Sequence, residues 1–242
     1  MISNNKWAVA AFDGNGYVKQ LLDFLICEYN RIFGIETMNA EKCTIFNDPN
    51  SHYPMFIINT VPVMIRLAQP STIYWAQTVY QLSHEMCHYA IRQGQAEKEF
   101  TLKWLEETIC EAMSLYALEY ASSRWYMCPL SQSDPTFSKA FDDYLVCEMN
   151  RIPQNDLNIC KTLEDLRICN QYAESKRDGR LRERNALYQV ISRYPEDCRC
   201  FCDMYCYLND DRLTVDFETW LADNPSAVVK CLSQIQPEIV KE

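Results

Sequence analysis

Apolar residues recur at mixed three- and four-residue spacings from Val18 to Phe33, through Leu21, Leu22, Phe24, Leu25, Tyr29 and Ile32, and Gly34 follows directly. That period predicts an amphipathic helix with a glycine stop. The pattern then shortens. Strands are predicted over 43–46, 55–58 and 61–67, parted by the turn-rich NDPNSHYP of residues 47–54. Pro62 places the last strand at an edge, or makes it begin after the proline. Pro70 and Ser71 open a long helical pattern that runs to Gly94, with Trp75, Val79, Leu82 and Met86 on one face. A second helix is predicted from about Thr101 to Ala121.

Beyond Ser122 the register changes, and the proline- and serine-rich stretch from Met127 to Pro135 reads as a boundary. Strand signals nearly vanish after it. Short helices are predicted over 137–149, 163–172, 181–194, 195–208, 217–221 and 227–235. The fold class expected is α+β, with a small mixed or antiparallel sheet, two active-site helices and a mostly helical C-terminal half. Residues 1–126 would form a catalytic α+β subdomain, and residues 127–242 a helical subdomain closing the cleft.

Composition narrows the function. Hydrophobic residues make up 48% of the 242 and aromatics 12%, enough to bury a sizeable core. The net charge of -10 repels a phosphate backbone, so nucleic acid is not an expected partner. Five glycines form neither GxGxxG nor GxxxxGK[ST], which removes the common phosphate-loop enzymes. The apolar stretch from Met55 to Leu67 is interrupted by Asn59, Thr60 and Arg66, so no membrane span is expected. The run Trp7 to Phe12 ends at Asp13, too short for a secretory leader. Thirteen cysteines, an odd number, point to reduced thiols in the cytoplasm.

The chemistry sits inside the long helix, where His84-Glu85-Met86-Cys87-His88 spells HExxH. Residues i and i+4 share a helix face, so two imidazoles converge on one point with Glu85 beside them. The chain has only three histidines, and chance produces this pattern in about 0.3% of such compositions. A catalytic zinc needs a third protein ligand and an open position. The string WLEETICEA, Trp104 to Ala112, offers Glu107, separated from His88 by eighteen residues. Glu111 lies one helical turn further and could accept the outer N–H of a liganding histidine. Glu106 is the alternative ligand if the register slips.

HExxH followed by eighteen residues and a glutamate, set in WLEE, resembles the gluzincin zinc metallopeptidases, distantly the aminopeptidase-N-like and thermolysin-like catalytic cores. The resemblance covers roughly residues 55 to 120 and implies one zinc per chain on His84, His88 and Glu107, with Glu85 as general base and proton shuttle. It implies peptide-bond hydrolysis by metal-activated water on a peptide or protein substrate bound in extended form. A strand edge, 55–58 or 61–67, would receive that substrate. No GAMEN-like motif is present to grip a free amino terminus, which favours endopeptidase over exopeptidase. No histidine follows His88, so the oxyanion donor stays open among Tyr172, Tyr188 and Tyr194.

Other residues carry plainer expectations. Cys198, Cys202 and Cys206, with Cys200 between them, read as a small-residue core stripe on the helix opened by Pro195, and Cys87 as packing. His52, in the turn between strands, reads as a surface loop residue rather than one touching substrate at the cleft rim. The basic run Lys176, Arg177, Arg180, Arg182 and Arg184 reads as a solvated helix start. Two rivals remain: a metallopeptidase fold that binds zinc but is catalytically retired and serves as an interaction or regulatory module, and a metal-free helical partner-binding protein.

Overall fold

The computed structural model describes residues 6–10, 16–71, 73–93, 101–153 and 157–239. Its four-stranded sheet has the order β1 (Trp7–Val9), β2 (Cys43–Asn47), β4 (Val63–Leu67), β3 (Met55–Ile57). β1 and β4 run parallel to β2, whereas β3 pairs antiparallel with β4. The expected α+β class with a small mixed sheet and a helical second half is what the chain adopts. Two details differ. β1 falls in the stretch read only as a failed leader, and three residues are too few to show an alternation. β4 begins after Pro62 and is paired on both sides, so of the two strands offered as a substrate edge only β3 has one.

The sheet packs beside α1 (Tyr17–Phe33), which Gly34 ends with φ 91°, a conformation that favours glycine. A short helix, α2 (Ile35–Met38), follows. Next come the long pair α3 (Trp75–Gln93) and α4 (Lys103–Arg124). The expected Gly94 stop and the link to α4 lie outside the described residues. α3 is registered against the sheet by an amide that imitates a strand: Gln81 accepts from Ala68 N at 2.9 Å and donates to Ala68 O at 3.1 Å. That clamp sits one turn before His84. Tyr29 of α1 donates to Ser83 O at 2.8 Å, and Ser83 donates to Met113 O of α4 at 3.1 Å. Three helices are thereby tied at the level of the motif.

The proline-rich stretch is a run of 3₁₀ turns leading into α5 (Ser138–Met149). Aromatic rings stitch it to the first half, with Trp75 4.7 Å from Phe137 and Trp125 5.1 Å from Phe141 between centroids. α6 (Leu163–Gln171), α7 (Leu181–Ile191), α8 (Phe217–Asp223) and α9 (Ala227–Ile235) complete the helices. One connected set of buried apolar residues runs from Trp7 to Leu232. The C-terminal half braces the start of α4: Asn170 of α6 accepts from Trp104 N at 2.9 Å, and Trp104 Nε1 donates to Leu213 O at 2.8 Å.

Residues Pro195–Tyr207 form successive 3₁₀ turns rather than an α-helix. A period of three buries Cys198, Phe201 and Met204 in line, while Cys202 is half-buried and Cys206 exposed. The expected Cys198, Cys202, Cys206 core stripe required the α period and does not form.

Candidate metal centre

α3 and α4 face each other with the motif side chains between them. His84 Nε2 lies 3.1 Å from His88 Nε2. Glu107 straddles the pair, Oε2 3.3 Å from His84 Nε2 and Oε1 3.3 Å from His88 Nε2. Among the described residues this is the group whose donor atoms could hold a metal ion. His84, His88 and Glu107 expose 1%, 6% and 7% of their surface, and Glu85 2%. Two imidazole nitrogens aimed at one carboxylate suit a borderline-soft divalent cation. A tetrahedral zinc held at roughly 2.0–2.1 Å would space its donors by about 3.3 Å, close to the 3.1 Å between the imidazole nitrogens and to the 3.3 Å each keeps from one Glu107 oxygen. Glu107 Oε2 is also buried without a hydrogen-bond partner, as a metal-facing oxygen would be.

The carboxylate that orients an imidazole is a different one from that expected. Glu111 Oε1 faces His84 Nδ1 at 3.7 Å, beyond hydrogen-bond reach, and Glu111 Oε2 accepts from the Tyr80 hydroxyl. Glu106 instead meets His88 Nδ1 at 2.6 Å. Glu106 is itself held by Arg92 Nε at 3.1 Å and the Tyr205 hydroxyl at 2.6 Å. Glu106 thus stands behind the His84–His88–Glu107 group, on the outer nitrogen of His88. A signal for this existed: Arg92 is one turn beyond His88 on the same face of α3. Tyr205 carried none, being 99 residues from Glu106 in sequence.

Electrostatics follow the geometry. Burial opposes charging His88, but Glu107 and Glu106 outweigh it and hold the imidazole well above its usual range. Burial likewise opposes ionising Glu106, yet His88, Arg92 and Tyr205 bring its carboxyl down to about 2. Glu107 is held well below the usual carboxylate range against burial, by His88 first. Two buried carboxylates beside two imidazoles therefore call for positive charge, which a proton or a metal ion could supply.

A cavity of about 870 Å³ adjoins the cluster without opening onto it. Glu111 and Tyr80 border it; His84, Glu85, His88 and Glu107 do not. Across it stand His52 and Tyr53 from the turn before β3, and Tyr144 and Glu148 from α5. His52 is exposed, as expected of a surface loop residue, and borders this cavity. Of the tyrosines considered as oxyanion donors, Tyr172 borders this cavity. Tyr188 donates to Glu119 at 3.1 Å, about 18 Å further along α4 than Glu107. Tyr194 is half exposed beyond α7. Neither of the last two joins the cluster.

The basic run is only partly a solvated helix start. Lys176 and Arg182 are exposed, but Arg180 and Arg184 are buried, with the Arg177 side chain outside what is described. Arg184 bridges two carboxylates, Glu148 at 3.3 Å and Glu111 at 3.7 Å. Arg180 donates to Ala173 O at 2.8 Å. These partners come from other elements, so the local pattern hid the burial.

No protein family matches this chain, and no curated protein or solved structure is similar to it. No helix among the described residues is long and apolar enough to cross a membrane.

Proposed function

We propose that the chain is a zinc metallopeptidase of gluzincin type, an endopeptidase acting on peptides or proteins in extended form. The observation that carries this reading is the convergence of His84, His88 and Glu107 at 3.1–3.3 Å from two helices with HExxH-x18-E spacing. Zinc there would supply Lewis acidity to the scissile carbonyl and to the attacking water. Glu85, next to His84 in the motif, would accept the water proton on its carboxylate and return it to the leaving amine. Glu106 holds His88 by Nδ1, which keeps Nε2 directed at the site. The outer edge of β3, close to the His52–Tyr53 rim, gives an extended peptide a strand to pair with. A reducing cytoplasmic setting belongs to the same proposal and is supported by thirteen cysteines with no disulfide among them.

The test is zinc stoichiometry by elemental mass spectrometry together with cleavage of an unfolded protein. Wild type should carry close to one zinc and cleave; Glu107→Ala should lose the metal, and Glu85→Gln should keep it while losing cleavage. An empty wild type, or full occupancy in Glu107→Ala, overturns the ligand set. The second reading, a retired fold that keeps zinc for interaction or regulation, is favoured by one observation: the metal cluster is buried and does not line the large cavity. Zinc without cleavage selects it.

A further inference from the structure

Phe56 is the buried residue of β3, paired with Ile65 of β4, and its ring meets two side chains of α3. Tyr89 meets it edge-on, with 5.8 Å between centroids. The Arg92 guanidinium stands 5.8 Å from the centre of the same ring, within cation–π range. From there Arg92 reaches α4, where its Nε donates to Glu106 Oε1 at 3.1 Å. That oxygen is also the one that meets His88 Nδ1 at 2.6 Å. A continuous line of contacts, Phe56 to Arg92 to Glu106 to His88, therefore runs from the strand at the sheet edge to one imidazole of the metal cluster.

Glu106 is 2% exposed, and a carboxylate so far from water is costly without a positive partner. Arg92 supplies a charge that is permanent. An arginine suits the place where a lysine does not, because Nε can bond the carboxylate while the flat face of the guanidinium rests on a ring. Arg92 and His88 share one acceptor oxygen, so a shift of the guanidinium moves the atom on which the imidazole is aligned. The other oxygen of Glu106 is held by the Tyr205 hydroxyl at 2.6 Å, so removing Arg92 loosens the carboxylate without releasing it.

We propose that Arg92 is a positioning residue of the metal centre: seated on Phe56, it fixes the Glu106 carboxylate and, through it, the direction of His88 Nε2. The inference rests on the ligand set of the proposed function. It adds that β3, the strand with an edge for an extended peptide, also sets the geometry of one metal ligand.

The experiment uses the full-length chain and two readouts, zinc affinity by chelator competition and, in the metal-free chain, the imidazole ¹⁵N–¹H correlations of His84 and His88. Arg92→Met keeps the stem and loses the guanidinium. It should weaken zinc by about tenfold, the low end for loss of a group that orients a ligand, and should shift the His88 signal while leaving that of His84 in place. Phe56→Leu touches neither the ligands nor Glu106, yet should weaken zinc by about two- to fivefold, the worth of one cation–π contact. The double variant should be no weaker than Arg92→Met, because the ring acts through the guanidinium. Ile65→Val, across the ladder from Phe56, should leave both readouts unchanged and serves as the packing control.

Arg92→Lys keeps the charge without the fork and should stay close to Arg92→Met; full recovery would make charge sufficient and overturn the positioning role. The proposal also fails if the Phe56 and Arg92 effects simply add, or if Arg92→Met changes neither readout. Normal zinc binding in wild type with an unmoved His88 signal in Arg92→Met overturns the positioning role and leaves the ligand set standing. An empty wild type whose His88 signal still moves in Arg92→Met does the reverse. Where Arg92→Met fails to fold, Phe56→Leu decides alone, since unchanged zinc affinity in it overturns the proposal.

Discussion

Glu106 and His88 are joined at 2.6 Å, carboxylate oxygen to Nδ1, the tightest contact either imidazole of the motif makes. The bond fixes which nitrogen of His88 is left for the site, because a proton on Nδ1 leaves the Nε2 lone pair free. It also joins α3 to α4 beside Glu107, so the direction of the His88 ring and helix packing depend on the same carboxylate.

Glu106→Gln keeps the shape and removes the charge. Loss of such a partner typically costs 10- to 100-fold in metal affinity, and a fall in that range is expected for zinc in a chelator competition assay. Tyr205→Phe removes one hydrogen bond to the far oxygen of Glu106, worth about 1 kcal/mol or roughly fivefold. Unchanged zinc affinity in Glu106→Gln would mean that His88 does not bind metal through the nitrogen assigned here.

Trp104 is fully buried at the foot of α4, and its indole N–H is held by Leu213 O at 2.8 Å. Trp104→Ala should destabilise the chain by about 3–5 kcal/mol, through cavity formation and lost transfer energy. Trp104→Phe keeps much of the ring but strands the carbonyl, costing about 1–3 kcal/mol. Urea unfolding of both variants measures this, and a Phe variant as weak as the Ala variant would place the stability in the hydrogen bond rather than in the packing.

Arg184 is 1% exposed between Glu148 and Glu111. Arg184→Met fits the space but leaves the buried Glu111 carboxylate without its cation and Glu148 with Arg151 alone, a loss of about 3–5 kcal/mol. Adding Glu148→Gln to Arg184→Met should recover part of that loss. If the double variant is no more stable than the single one, Arg184 acts through packing of its stem alone.

Features that could be read in the chain are those written locally. The 3.6-residue period announced α1, α3 and α4, and HExxH with Glu107 across an eighteen-residue gap named the cluster that converges. Features that could not be read depend on distant partners. Burial of Arg184 needs Glu148, 36 residues earlier, and a run of five cations looks solvated until that carboxylate is placed beside it. Glu106 and Glu111 lie on either side of Glu107 on α4, and only the packing of α4 on α3 shows that Glu106 meets His88 at 2.6 Å while Glu111 stays 3.7 Å from His84. Cysteine spacing from Cys198 to Cys206 satisfies an α stripe on paper, whereas the chain winds with a period of three. β1 has three residues and is visible only through its pairing with β2.

Asp211 gives the protein a pH-sensitive clamp. Its carboxylate accepts from Leu213 N and Thr214 N, both at 2.8 Å, and from Thr214 Oγ1 at 2.6 Å, closing the turn that presents Leu213 O to Trp104. Burial opposes the ionised form, but the Thr214 hydroxyl and the two backbone N–H groups outweigh it and lower the carboxyl below its usual value. A depressed folded pKa means that the unfolded chain takes up the proton first. The stabilisation is therefore complete above about pH 4, the ordinary aspartate value, and is lost as pH falls through the lower folded value. Asp211→Asn should be less stable than wild type at pH 7, and the gap between their urea midpoints should narrow as pH falls below about 4. A gap that stays constant across that range would show that the turn is held by shape and not by the ionised carboxylate.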